Sequence, residues 1–117
     1  MRVIIGHDDP TERDRTRQAA LECWGGPDLV QVVTAVDDVA VLKRLATRVR
    51  WPDAIITSLS FLEQHPQLAL VLRRHPGRGY FRWLVLAGGT DEYLRAALGN
   101  LGDEVIAEPV TPAKLSQ

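Results

Sequence analysis

A histidine and two aspartates stand directly after an apolar run in "VIIGHDDP" (3–10). Carboxylates at the end of a buried strand can ligate a hard cation, orient a catalytic step, or cap the following helix. The choice depends on what the other strand ends supply. Ser58 and Ser60 lie in "DAIITSLSF", Ala87, Gly88 and Gly89 follow "FRWLVL", and Glu108 with Pro109 follows "EVIA". Magnesium wants near-octahedral oxygen ligation, often with carboxylates from more than one element. Asp8 and Asp9 come from one strand end only, and the hydroxyls of Ser58 and Ser60 bring no charge to offset dehydration of the ion. No cofactor is expected, with Asp8 and Asp9 as weak candidates for Mg2+. Asp9 is also placed to cap the next helix, a role worth ~1 kcal/mol.

Other constellations carry less. His7 beside Ser58 would pair a base with a nucleophile, yet no G-x-S-x-G turn or oxyanion hole is legible, so no enzyme is expected. His65 and His75 have the spacing of two ends of a helix rather than of two ligands to one metal, and both are expected at the surface. "GRG" and "AGGTD" are neither dinucleotide nor Walker fingerprints. The loop "HPGRGY" (75–80) reads as the most flexible stretch, and Arg73, Arg74 and Arg78 read as a solvated basic patch.

The elements that must position these residues alternate. Five segments rich in β-branched residues recur at 3–6, 29–35, 53–59, 81–88 and 104–109. Between them lie helical spacings. Val39, Leu42, Leu45, Ala46 and Val49 share one face while Lys43, Arg44, Arg48 and Arg50 face away, and Leu94, Ala97, Leu98 and Leu101 form a second stripe. The first helix starts at Asp9 or Thr11, with Pro10 in its first turn, and stops at Gly25, Gly26 and Pro27. A third begins at Pro66, buries Leu68, Val71 and Leu72, and ends at Pro76 and Gly77. Strands alternating with helices imply βαβ crossovers and a doubly wound α/β domain with a parallel sheet. In such sheets the functional crevice lies beyond the carboxyl ends of the strands, where the winding reverses.

At 117 residues and 13.0 kDa the chain is long enough for one core and one domain, 1–117. Fourteen basic against fifteen acidic residues leave a net charge of −1, which argues against direct nucleic-acid binding. The lone Cys23 permits no internal disulfide and reads as a small hydrophobe near a helix end. No apolar run approaches the ~20 residues of a membrane span, so a cytoplasmic protein is expected. Trp24, Trp51 and Trp83 are expected in the core or at its rim.

The pattern resembles the receiver domains of two-component response regulators over essentially the whole chain. "VIIGHDDP" is similar to their first strand, acidic pair and proline. "WPDAIITSLSF" is similar to the "PD" strand that carries the phosphoacceptor aspartate, and "YLRAALGNLGDEVIAEPVTPAKL" to the fourth helix, fifth strand and "KP" turn. The resemblance implies a CheY-like, flavodoxin-like five-stranded sheet of order 2-1-3-4-5, here with a short last helix.

Carried over by position, the family's chemistry is nearly absent. The phosphoacceptor falls on Ser58, whose hydroxyl cannot form an acyl phosphate. The lysine that contacts the phosphoryl group is Glu108, a reversal of charge. The switch threonine or serine is Ala87 and the aromatic switch position is Val105. Alignment on Pro10 puts His7 and Asp8 at the acidic pair, whereas alignment on the acids gives Asp8 and Asp9. With nucleophile, cation and hydroxyl all replaced, the resemblance implies a pseudo-receiver: a signalling module acting through a protein partner or output domain, transcription regulation among the outputs. A phosphorylated regulator with an unusual acceptor, a small-ligand sensor, and more weakly a flavodoxin-like enzyme are the alternatives. Glu108 is also a candidate partner for His7, which if protonated beside the acids would make a pH-responsive cluster. Only six residues follow Thr111, so a sheet face beside the first helix is expected to be partly bare: either the sequence is a domain cut from a longer regulator or a second subunit covers the patch, and a homodimer is expected.

Overall fold

In the computed structural model the described residues are 2–24, 32–46, 51–88 and 104–116. They form β1 (Arg2–Gly6), α1 (Pro10–Trp24), β2 (Val32–Val36), α2 (Val39–Ala46), β3 (Ala54–Ser58), α3 (Leu59–Gln64), α4 (Pro66–Arg73), β4 (Arg82–Ala87), β5 (Glu104–Ala107) and α5 (Pro112–Leu115). All five strands are parallel, in the order β2-β1-β3-β4-β5. This is the expected doubly wound sheet. The stripe at Leu94, Ala97, Leu98 and Leu101, the Gly25, Gly26, Pro27 breaker, the 29–31 start of the second strand, Arg48, Val49, Arg50 and Gly89 lie outside the described residues.

The central strands are apolar on both faces because helices cover both. Side chains alternate across the sheet, so each strand feeds two cores. Ile4, Ile55, Trp83, Val85 and Ala87 point to one side and pack with Leu42 of α2, Phe61 of α3, and Leu68 and Leu72 of α4. Val3, Ile5, Ile56, Leu84, Leu86 and Ile106 point to the other, against Ala19 and Ala20 of α1 and Leu115 of α5. The expectation of a partly bare second face is corrected here. Val110 is 3% exposed and Leu115 fully buried, so even a single turn of α5 closes this side. α1 fits closely because its buried residues, Thr16, Ala19 and Ala20, are small.

The chain between β3 and β4 departs from the expectation of one helix. β3 ends at Ser58 and α3 follows without a break, then His65 closes α3 through its backbone N–H to Phe61 and Leu62 carbonyls. Proline cannot donate a backbone hydrogen bond, so Pro66 starts a new helix rather than continuing the old. α4 buries Leu68, Ala69 and Leu72, while Val71, expected inside, is 37% exposed.

The turn after α4 is built rather than loose. His75, expected at the surface, is 6% exposed. Its Nδ1 accepts from the Gly77 N–H at 2.8 Å, leaving Nε2 to donate to the Ala46 carbonyl at 2.8 Å. This ties the end of α2 to the turn. Gly77 has no room for a side chain, since a Cβ would lie 2.6 Å from the Trp51 ring. Arg78, read as solvated, is half-buried, its guanidinium 5.3 Å from the Phe81 ring centre and 5.6 Å from that of Trp83. Trp83 is a core residue and Trp24 a rim residue as expected, but Trp51 is 41% exposed.

Candidate functional site

Parallel strand order reverses between β1 and β3, which places the ends of those two strands on either side of a crevice. Two backbone hydrogen bonds extend the strand ends around it: His7 N–H to the Val36 carbonyl at 3.1 Å and Glu108 N–H to the Ala87 carbonyl at 2.8 Å. Gly6 precedes the crevice under tight packing, where a Cβ would fall 2.4 Å from Leu42 Cδ1 and 3.0 Å from the Phe61 ring. The structure thus brings His7, Asp8, Ser58, Ala87 and Glu108 to one end of the sheet.

The three residues after β1 have separate tasks. His7 is 2% exposed. Its Nδ1 accepts from the Asp9 N–H at 3.0 Å, so the ring proton sits on Nε2 and is donated to Glu108 Oε1 at 3.0 Å. The same Nδ1 lies 3.4 Å from Asp8 Oδ1, so the ring stands between the two crevice carboxylates. Asp8 turns into the crevice. Asp9 turns out and caps α1, its Oδ1 accepting from Thr11 N–H at 2.9 Å and Glu12 N–H at 3.3 Å. His7 and Asp8 therefore occupy the crevice positions, and Asp9 is the cap. Removing that cap with Asp9→Ala is expected to cost about 1 kcal/mol, read as a lower midpoint in urea with an unchanged slope.

Asp8 is enclosed by donors. Ser58 and Ser60 hydroxyls donate to its Oδ1 at 3.1 and 2.7 Å, and the Gln64 amide donates to Oδ2 at 3.1 Å. Burial by itself would raise the Asp8 pKa, but the Ser60 hydroxyl, its own backbone N–H, Ser58 and the nearby His7 ring outweigh it and hold the carboxyl below its usual range. Asp8 is thus held ionised. Ser58 has a second duty: its Oγ accepts the Phe61 N–H at 3.1 Å, making it the N-cap of α3. Ser58 is 2% exposed.

Glu108 stands after β5 on a cis peptide to Pro109. Lys114 of α5 reaches past it, donating to the Ala107 carbonyl at 3.0 Å and the Pro109 carbonyl at 2.9 Å. Among the described residues no lysine or arginine bonds to the Asp8 or Glu108 carboxylate. Ala87 is buried at the end of β4 and offers no hydroxyl, and Val105 is partly buried against the core. Sequence reading did not find Gln64 or Lys114. Gln64 carries a weak signal, four residues beyond Ser60 and so above it on one helix face.

These residues do not suit a divalent cation. Both carboxylates of the pocket already face His7, Glu108 at 3.0 Å and Asp8 at 3.4 Å, and both oxygens of Asp8 accept from neutral donors. A hard dication needs those lone pairs, and further charge to offset its dehydration. Among the described residues no cluster of three or more histidine, cysteine or acidic side chains has metal-binding geometry. No helix among the described residues is long and apolar enough to cross a membrane.

No protein-family profile matches the chain, and none of the curated proteins does. Solved structures do. A chain assigned as a response regulator from Chloroflexus aurantiacus J-10-fl superposes with a TM-score of 0.74 at 19% identity, covering 97% of this chain and 89% of that one. The signal receiver domain of a two-component histidine kinase from Clostridium thermocellum gives 0.74 at 13% identity, with 98% and 90% covered. The signal receiver domain of an HD domain-containing protein from Pseudomonas fluorescens Pf-5 gives 0.70 at 18%, with 97% and 86% covered. Likeness at such identities fixes the architecture, and the architecture of this chain is the CheY-like fold of response regulator receiver domains.

Proposed function

We propose that this chain is a signalling module of the two-component receiver type that works through contacts with another protein and without phosphorylation. The observation that carries the reading is the state of Ser58. At the position of the phosphoacceptor, its hydroxyl is buried, donates its proton to ionised Asp8 and accepts from the first turn of α3, so it has no base to activate it and is held by the helix it caps. The surroundings agree with this. Glu108 stands where a cation would neutralise the transferred anion, and Ala87 stands where a hydroxyl would swing toward it. Active receivers shift between two conformations by means of a covalent anion. Here the differential binding must come from a partner, either an output domain or a separate protein, and control of transcription is one output such a module serves.

Incubation with acetyl phosphate and magnesium is expected to leave the chain without stoichiometric phosphate, whether acid-stable or acid-labile, as read by intact mass. Beryllofluoride with magnesium is expected to leave the tryptophan emission unchanged. Incorporation approaching one phosphate per chain would overturn the reading and favour a phosphorylated regulator with an unusual acceptor.

A further inference from the structure

Among the described residues, the large apolar side chains left exposed are Trp51 (41%), Leu70 (50%), Val71 (37%) and Tyr80 (78%). They are not scattered. Trp51 and Tyr80 stack with ring centres 5.5 Å apart at 25°, and Trp51 meets the edge of His75 at 6.0 Å. His75 in turn lines a hollow of about 350 Å³ with Leu70, Val71, Arg74 and Pro76. A continuous apolar strip thus runs from the α4 flank across the turn to the residues that precede β3 and β4. Because the strands are parallel, this strip lies at the opposite end of the sheet from Asp8 and Ser58, roughly 16 Å away along five residues of β3. Arg73 and Arg74 border it, both exposed and without an ion pair among the described residues.

From this we infer that the strip is the docking face for an acidic amphipathic segment of a partner protein. The shape and charge select that occupant. A hollow lined by aliphatic carbons accepts an apolar side chain, the stacked aromatic pair offers a rigid anchor, and two unpaired guanidinium groups accept carboxylates in bidentate geometry. A second copy docked through the same face would set Arg73 and Arg74 against their own kind, because a two-fold interface pairs a patch with itself. Single-stranded nucleic acid needs a basic groove that follows the backbone, whereas here the net charge of the chain is −1 and two arginines border a mostly aliphatic hollow.

The face deepens the interaction reading proposed above and rests on it. Phosphate labelling bears on that reading alone, whereas peptide binding bears on this face alone. A random 16-residue peptide display library panned against the full chain tests it. The recovered peptides are expected to carry net negative charge with two or more large apolar residues, and to shift the amide signals of 51 and 70–80. Their affinity is expected to fall at least tenfold in the Arg73→Glu, Arg74→Glu variant and in Leu70→Ser, with near-ultraviolet dichroism of the buried Trp83 showing both variants folded. Peptides without net negative charge, binding unaffected by these variants, or no binder at this face would overturn it. So would tighter binding of oligothymidylate, or self-association in sedimentation that Leu70→Ser abolishes.

Discussion

Trp83→Ala is expected to lower stability by about 3–5 kcal/mol, a large part of the roughly 5–15 kcal/mol that holds a domain of this size together. Trp83 is fully buried, its ring fills the space between β4 and the α3 and α4 side, and its indole N–H donates to Thr57 Oγ1 at 2.9 Å. Truncation opens a cavity and leaves the Thr57 hydroxyl, itself fully buried, without its donor. Trp83→Phe separates the two effects. It keeps most of the ring and loses only the N–H, so about 1–2 kcal/mol is expected, near the cost of one unsatisfied buried group. Urea unfolding followed by far-ultraviolet dichroism measures both, and equal losses in the two variants would show that the hydrogen bond rather than the volume dominates. Thr57 is the residue before Ser58, so this tryptophan also supports the floor of the crevice.

The same tryptophan illustrates what the sequence makes plain. It sits in "FRWLVLAG", a run apolar at every position from 83 to 87, and only a strand covered on both faces gives such a run. The parallel sheet was legible for that reason, while its strand order came only from the resemblance to receiver domains. The end of β3 was not. In "DAIITSLSFL" the apolar pattern continues from strand into helix, and the change of period is made by one hydroxyl, the Ser58 cap on Phe61 N–H. His75 was misread because its burial depends on the Ala46 carbonyl, 29 residues away, and nothing in "RRHPGRG" announces that partner. Trp51 was misread for the opposite reason: its apolar ring covers Gly77 without being covered itself.

At the site, residue types were legible and directions were not. His7 and Glu108 stood as candidate partners, and they meet across 101 residues because β1 and β5 are brought into one sheet with β3 and β4 between them. Whether Asp8 or Asp9 faced the crevice turned on one backbone detail, the Asp9 N–H bonded to His7 Nδ1. The expected cluster is assembled: the ring lies 3.4 Å from Asp8 and 3.0 Å from Glu108.

The enclosure of Asp8 makes a further outcome of reversing one substitution. Ser58→Asp exchanges a donor for a carboxylate at about the same distance from Asp8, 3.1 Å in the parent. Aspartate caps a helix as well as serine does, so α3 keeps its start. The loss is electrostatic: a donor to ionised Asp8 becomes a like charge, which at an effective dielectric near 20 is worth up to about 4 kcal/mol before screening. A net cost of about 1–3 kcal/mol is expected near neutral pH once partial solvent exposure of Asp8 is allowed for. Two facing carboxylates also form the kind of oxygen pair that magnesium takes. For a site of millimolar affinity, 10 mM magnesium returns about 1.4 kcal/mol to the variant by mass action, whereas the parent, with Asp8 already satisfied by neutral donors, is expected not to respond. Acidification works in the same direction as magnesium in the variant, because protonating one of the pair removes the repulsion. In the parent the sign is opposite. Its depressed Asp8 pKa means that the folded state gains from ionisation, a gain present above the unfolded pKa of ~3.9 and lost as pH falls through the folded value. Thermal melts of both proteins with and without magnesium, at neutral pH, near pH 5 where the variant responds and near pH 3 where the parent does, distinguish these responses, and a parent that magnesium stabilises as much as the variant would show that the crevice still holds a cation.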